Sequence, residues 1–193
     1  MKKFLLVLVA MLSLSGVVFA QEGVIEPYVD AGDIIAMAGV GYGGIAAGFE
    51  YDFFRFNAGP LPLTFGAAAR VAFDPLFQAY GTSFTVGGFA MAHLGFKGLA
   101  STSPSMEQLQ RLDYYVGLGI GYATNFFDEP YYSIEGGIGF SWLTGVSYYF
   151  NDNLALYVEY GYIGRYTVIW ESLYTYRYTY SPYYATVGVS LKL

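Results

Sequence analysis

Apolar residues alternate with small or polar ones along most of the chain. In the stretch DYYVGLGIGY, residues 113–122, the even-numbered positions are apolar or tyrosine, whereas the odd-numbered positions include three glycines. Successive side chains of a β-strand point to opposite faces, so this period of two predicts a strand with one apolar and one small or polar face. The same pattern recurs in seven other segments: about 33–42, 45–55, 63–74, 84–96, 140–150, 154–162 and 183–193.

Eight two-faced segments separated by turns are typical of a transmembrane β-barrel. The chain has 193 residues and is 55% hydrophobic, yet it has no uninterrupted apolar run long enough for a transmembrane helix. A closed barrel is the other way to satisfy backbone hydrogen bonds in lipid. We therefore predict an all-β fold, an eight-stranded antiparallel up-and-down transmembrane β-barrel.

The connections assign the two ends of this barrel. The short connection at residues 151–153, Asn-Asp-Asn, predicts a tight turn on the periplasmic side. The segments 124–133 and about 75–81 then become outer loops. The segment 98–110 falls on the periplasmic side, where it is longer than such turns usually are. GVGYGG, residues 39–44, matches G-x-G-x-x-G, but a second alternating strand follows it instead of a helix. We therefore interpret it as a turn and expect no cofactor.

The first twenty residues have the three parts of a secretory signal peptide. Lys2 and Lys3 precede an apolar run, and Val18-Phe19-Ala20 forms a small-x-small cleavage site. An uncleaved membrane anchor is the alternative. We predict a signal peptide at 1–20 and one barrel domain at 21–193. Seven basic and fifteen acidic residues then remain, a net charge of −8, which argues against a nucleic-acid partner. The absence of cysteine excludes disulfides, Cys-ligated zinc and a thiol nucleophile.

The sequence resembles the small eight-stranded outer-membrane barrels, the OmpA-like and OmpX-like families. The stretch GFSWLTGVSYYFNDNLALYVEYGY, residues 139–162, looks like the hairpin around a periplasmic Asn-Asp turn in those proteins. The resemblance implies outer-membrane lipid as the environment. It also implies the barrel assembly machinery and periplasmic chaperones as partners during biogenesis. Members usually end in an aromatic residue, whereas this chain ends in Leu193.

Six charged residues occupy positions predicted to face the lumen: Glu50, Asp52, Arg70, Asp113, Glu159 and Lys192. A charge inside a narrow barrel is costly unless it is paired, so we expect Arg70 to bridge Glu50 and also Glu159. One interpretation of the set is a structural salt-bridge network. The other is a gate or ion path, like the one proposed for OmpA-like barrels.

His93 is the single histidine of the chain and lies on a predicted lumen face. Hydrolytic enzymes need a nucleophile within reach of a base, but no serine lies two positions from His93 on its face. We interpret His93 as a packed or hydrogen-bonded lumen residue. No enzymatic activity, catalytic residue or metal site is expected from these residues.

The last outer hairpin, residues 165–184, keeps alternating beyond the roughly ten residues that cross a membrane. Tyrosine offers a large contact area with little entropy to lose, which suits recognition. The alternative is an aromatic girdle at the membrane surface. The residues that would form a recognition surface are Trp170, Tyr174, Tyr176, Arg177, Tyr178 and Tyr180.

Three functions remain open at this point. The first is a structural or membrane-integrity protein of the cell outer membrane with surface-exposed loops. The second is an adhesin or ligand-binding protein that uses those loops. The third is a narrow, porin-like conduit for ions or small apolar molecules, because many glycines on the inner face would leave the lumen incompletely packed.

Overall fold

A computed structural model of the chain describes residues 26–42, 44–59, 61–75, 82–97, 108–126, 128–129, 132–171 and 175–193, with backbone alone at 128, 129, 132, 170, 171 and 180. The predicted signal peptide lies outside these residues. The strands are β1 (Ile34–Tyr42), β2 (Gly44–Ala58), β3 (Leu61–Asp74), β4 (Ser83–Gly95), β5 (Leu112–Asn125), β6 (Asp128–Glu129), β7 (Tyr132–Tyr149), β8 (Leu154–Tyr162), β9 (Arg165–Glu171), β10 (Thr175–Tyr180) and β11 (Tyr183–Lys192). One 3-10 turn covers Leu109–Arg111. No helix among the described residues is long and apolar enough to cross a membrane.

The strands close into a barrel. Each pairs antiparallel with its neighbours, and β1 pairs with β11, so the first and last strands complete the ring. β8 and β9 both pair with β7 and form one barrel strand, interrupted at Ile163 and Gly164, where glycine takes a φ of 73°. β10 and β11 likewise form one strand, interrupted at 181–182, while β6 is a short addition to β7. The described residues therefore form a closed eight-stranded antiparallel barrel, which confirms the predicted fold class.

The outer surface of the barrel is apolar. Side chains of the predicted outward face lie exposed around the middle of the strands, among them Leu118 and Val158. Near the end that carries the β1–β2 turn, aromatic rings make a row of contacts. The Trp142 and Tyr162 centroids lie 5.5 Å apart, Tyr162 and Tyr183 are 4.9 Å apart, and Tyr183 and Tyr42 are 6.5 Å apart. An aliphatic band next to an aromatic row is the surface that a membrane barrel presents to lipid.

One strand departs from its predicted alternation. The sequence predicts a strand over about 45–55, whereas β2 continues to Ala58 through a bulge between Asp52 and Phe54. A bulge adds one residue to one strand, so the side chains beyond it change face. Phe53 and Phe54 are consequently both exposed. In GVGYGG, the first two glycines belong to β1, and the turn follows Tyr42.

The inward glycines accommodate large side chains of the neighbouring strands. In many register pairs a glycine lies directly opposite a larger residue, among them Gly48↔Arg70, Gly66↔Asp52, Gly117↔Met91 and Gly145↔Tyr115. A methyl group at Gly48 would lie 2.7 Å from Arg70 Cδ, and one at Gly145 would overlap the Tyr115 ring. Pairing small with large residues fills the narrow interior of a small barrel. At these positions glycine therefore marks a filled lumen, not the open space that the sequence pattern suggests.

Candidate functional site

The inward charges meet inside the barrel, four of them on the adjacent strands β2 to β5 and one, Glu159, on β8 across the lumen. Glu50 on β2, Arg70 on β3, His93 on β4, Asp113 on β5 and Glu159 on β8 are each no more than 3% exposed. They reach the lumen because each occupies an inward position of its strand. We call these five residues the buried charge cluster.

Arg70 links the two glutamates of the buried charge cluster. Its Nη2 lies 3.0 Å from Glu50 Oε2, and its Nε lies 3.2 Å from both carboxylate oxygens of Glu159. The sequence pattern predicted these pairings. Arg70 therefore ties β2 and β3 to β8 across the lumen, and each guanidinium contact is a charge-assisted hydrogen bond.

His93 extends the cluster to a third carboxylate. Its Nδ1 lies 2.7 Å from Asp113 Oδ2, its Nε2 lies 2.5 Å from Glu50 Oε1, and its ring stacks on Tyr115 at 5.3 Å. Ionised carboxylates only accept hydrogen bonds, so an imidazole that donates to two of them carries a proton on both nitrogens. Among the described residues, the hydrogen-bond partners of His93 are these two carboxylates and no hydroxyl group. His93 is a hydrogen-bonded lumen residue, as its sequence context predicts.

Asp52 lies beside the cluster with its carboxylate unsatisfied. It is fully buried, and within the described part of the chain neither of its oxygens has a hydrogen-bond partner. One oxygen of Asp52, one oxygen of Glu50 and one nitrogen of His93 all lie within 4.8 Å of one another. Burying a carboxylate without a partner is strongly unfavourable, so this position requires an explanation.

Lys192 does not join the buried charge cluster. Its Nζ lies 3.1 Å from Asp33 Oδ2 and donates to the carbonyl oxygen of Tyr28 at 2.9 Å. The predicted inward direction of Lys192 is consistent with this position, but the side chain lies at the mouth of the barrel. The sequence alternation gives the face of a residue and leaves its height along the barrel axis open.

The segment before β1 crosses this mouth. The rings of Tyr28 and Tyr149 stack with centroids 4.4 Å apart and planes 6° apart. Val29 is fully buried, and its carbonyl oxygen accepts a hydrogen bond of 2.7 Å from Thr64 Oγ1. Residues 26–33, which we call the N-terminal segment, therefore cover the end of the lumen that also carries Lys192. The sequence pattern gave no signal for this segment, because it lies before the first alternating strand.

An ion pair marks the rim of the same mouth. Lys97 Nζ lies 2.7 Å from Asp152 Oδ1 in the turn between β7 and β8. The hydrogen bond from Lys97 lowers the pKa of Asp152, and the same bond raises the pKa of Lys97. Both side chains are solvent-exposed or half-exposed, so this pair contributes little to stability.

The last outer hairpin extends past the barrel. β10 pairs with β9 over six positions, from Thr175↔Glu171 to Tyr180↔Tyr166, and within the described residues it has no other strand partner. Residues 175–179 are exposed at every position, whereas the barrel strands alternate between exposed and buried residues. β10 therefore extends beyond the barrel wall as an exposed strand, while β9 remains paired with β7.

The predicted recognition residues are only partly described. The side chains of Tyr176, Arg177 and Tyr178 are exposed, with 65% exposure at Tyr176. Tyr174 and the side chains of Trp170 and Tyr180 lie outside the described residues.

Among known proteins, solved structures resemble this chain, whereas sequence comparisons find no match. No protein-family model and no curated protein sequence matches the chain. Among solved structures, the outer membrane protein OprG from Pseudomonas aeruginosa is 14% identical, with a TM-score of 0.47 over 87% of this chain and 99% of OprG. AlkL in lipid bilayers is 13% identical, with a TM-score of 0.44 over 90% and 93%. Neisserial surface protein A is 20% identical, with a TM-score of 0.39 over 83% and 94%.

These neighbours are small outer-membrane barrels. Each shares a fifth or less of its residues with the chain. The fold assignment for this chain therefore depends on its own strand pairing.

Proposed function

We propose that the protein is an integral barrel of the bacterial outer membrane that supports membrane integrity and keeps its lumen closed. The apolar outer surface carries this proposal. Leu118 and Ile120 at the middle of β5 are 59% and 66% exposed, and similar side chains surround the barrel. Soluble proteins rarely expose a contiguous apolar surface of this extent, whereas lipid covers such a surface at no cost. A barrel of this type is completed by outer-membrane lipid and is inserted by the barrel assembly machinery with periplasmic chaperones.

The filled lumen supports a structural role over transport. The buried charge cluster spans the interior, and the cavity of 10 Å³ beside Glu50, His93 and Asp113 has room for about one water molecule. The N-terminal segment covers one mouth. An eight-stranded barrel has an interior that side chains can fill, and this one is filled at the level of the cluster.

A deletion strain with complementation tests the structural role. We expect loss of the gene to raise sensitivity to detergents and to large antibiotics that the outer membrane normally excludes. The wild-type gene and a gene encoding Tyr176→Ser, which alters only the hairpin, should both restore resistance. Unchanged sensitivity in the deletion strain would contradict a membrane-integrity role.

Recognition by the last outer hairpin is a second candidate function. The observation that favours it is that residues 175–179 are exposed at every position. Tyr176 lies seven residues along the strand from Tyr183, which belongs to the aromatic row. At about 3.3 Å per residue, Tyr176 lies roughly 20 Å beyond that row, which is too far for a girdle residue. Among the described residues β10 has β9 as its one strand partner, so its other edge is a position where a strand of a partner protein could pair.

A paired set of variants tests the hairpin. Cells that display the wild-type protein should bind a surface ligand that cells with Tyr176→Ser and Tyr178→Ser do not bind, at equal surface level. Thr167→Ser on the paired strand serves as the control, because it keeps a hydroxyl group at its position. Equal binding by the double variant and the wild type would count against recognition through this hairpin.

A further inference from the structure

Among the described residues, the four buried carboxylates of the lumen carry more negative charge than the two buried basic side chains beside them can compensate. Glu50, Asp52, Asp113 and Glu159 are each at most 1% exposed. Opposite them, the described residues place Arg70 and one imidazole, His93, at the same level. With all four carboxylates ionised, two negative charges remain without a counterion even when the imidazole is doubly protonated. Buried charges of one sign are unstable unless an opposite charge compensates them.

We propose that Glu50, Asp52 and His93 bind one divalent transition-metal cation of the zinc type inside the barrel. One oxygen from each carboxylate and one imidazole nitrogen lie within 4.8 Å of one another, a spacing from which three ligands can converge on a common ion. Imidazole nitrogen and carboxylate oxygen are both zinc ligands, and a water molecule commonly completes the tetrahedral set. Coordination by Nε2 removes one proton from the imidazole, so three negative charges then remain, and a divalent cation compensates two of them.

Asp52 is the observation that distinguishes this site from an ordinary salt-bridge network. Glu50, Asp113 and Glu159 have basic partners, whereas both oxygens of the fully buried Asp52 have none in the described part of the chain. The carboxylate lies over Gly66, where a methyl group would overlap it, so the fold reserves space for it. An oxygen of Asp52 is therefore free to bind a metal ion, and it lies near one ligand atom each of Glu50 and His93.

The neighbouring residues provide the outer support that metal ligands need. The Nδ1 of His93 donates to Asp113, which directs Nε2 towards Glu50. Carboxylate–imidazole pairs of this kind orient metal-bound histidines in many proteins. Arg70 holds Oε2 of Glu50, so Oε1 is the oxygen available to a metal. Binding therefore replaces a single contact, the hydrogen bond between His93 Nε2 and Glu50 Oε1, and the cation takes the place of its proton.

The single histidine and the absence of cysteine hide this site from the sequence. Its three ligands belong to two strands and lie 43 positions apart at the extremes, from Glu50 to His93. Sequence motifs for zinc depend on close ligand spacing, which this arrangement lacks. Only the register between strands brings the three residues together.

Metal content measured on the purified protein tests the proposal. The protein is refolded in detergent micelles with Zn²⁺ present, freed of loosely bound metal by dialysis and analysed for zinc per chain. We expect about one zinc per wild-type chain. Asp52→Asn and His93→Gln should weaken binding by at least about tenfold, whereas Asp152→Asn, which removes an exposed carboxylate, should bind like the wild type. A heat-modifiable gel shift confirms that each variant is folded.

Two results would overturn the proposal. One is wild-type protein with no retained zinc. The other is equal zinc in the wild type and in folded Asp52→Asn and His93→Gln, which would place the metal on surface carboxylates. If neither variant folds, the visible spectrum of Co²⁺ bound to the wild type decides. Bands of a low-symmetry site with nitrogen ligation support the site, and the spectrum of hydrated cobalt rejects it.

Discussion

A charge placed on the outer surface of β5 should reveal whether lipid surrounds the barrel. Leu118 has six residues of β5 before it and seven after it, and its side chain is 59% exposed. At about 3.3 Å per residue, it lies roughly 20 Å along the strand from Leu112, where β5 begins. A strand tilt of about 40° reduces this distance to a depth of roughly 15 Å, which is half of a hydrocarbon core about 30 Å thick.

An arginine at that depth is costly. Substitution of a lipid-facing residue by Arg at the bilayer midplane destabilises membrane barrels by about 2–4 kcal/mol, and the cost falls to about 0–1 kcal/mol near the interfaces. We therefore expect Leu118→Arg to lower the free energy of unfolding by about 2–4 kcal/mol relative to Leu118→Ala. The alanine variant also lacks the leucine side chain, so the comparison separates the cost of the arginine from the cost of losing leucine.

Guanidinium-induced unfolding in lipid vesicles, followed by tryptophan emission, measures this difference. Tyr176→Arg on β10 is the matched control, because its position is 65% exposed beyond the barrel. We expect that control to change stability by less than about 0.5 kcal/mol. Equal costs for Leu118→Arg and Tyr176→Arg would refute the conclusion that lipid covers the middle of β5.

Three further substitutions address the interior and the mouth, each measured by the same unfolding assay. Arg70→Met should destabilise the barrel by about 3–5 kcal/mol, because it leaves carboxylates buried without their cation. Adding Glu159→Gln to the same chain should recover part of this loss. A cost of Arg70→Met below about 1 kcal/mol would contradict the paired geometry. Gly145→Val should cost about 1–3 kcal/mol because the added methyl groups overlap the Tyr115 ring, and a neutral result would mean that the lumen has spare space there. Tyr28→Ala should cost about 1–2 kcal/mol through the lost ring stacking, and an unchanged stability would show that the N-terminal segment is not docked.

The sequence alone predicts the architecture because the signal is local. Alternation depends on neighbouring residues of one strand, so the inward positions of Glu50, Arg70 and Glu159 follow directly from parity. The pairing of Arg70 follows as well, since an isolated charge in a narrow barrel needs a partner. The sequence does not predict the bulge between Asp52 and Phe54, because Phe53 and Phe54 are adjacent and either of them fits an outward aromatic position.

The details of the site depend on heights along the barrel axis, which the register between strands sets. Lys192 and Arg70 are both inward positions, but only Arg70 lies at the level of the buried charge cluster. The space beside an inward glycine also depends on the register between strands. Gly145 suggests open space when it is considered alone, whereas its register partner Tyr115 fills that space from the next strand. The unsatisfied Asp52 is also invisible in the sequence, since the lack of a partner is a property of the assembled interior.

Single-channel recording of the refolded protein in a planar bilayer examines the closed lumen directly. Folding is confirmed beforehand by a heat-modifiable gel shift, and an open porin serves as the positive control. We expect the wild-type protein to show no discrete openings, because the buried charge cluster and the N-terminal segment fill the lumen. Openings in Arg70→Ala alone would identify the cluster as the barrier. Regular openings of the wild-type protein would contradict the closed barrel and favour a conduit.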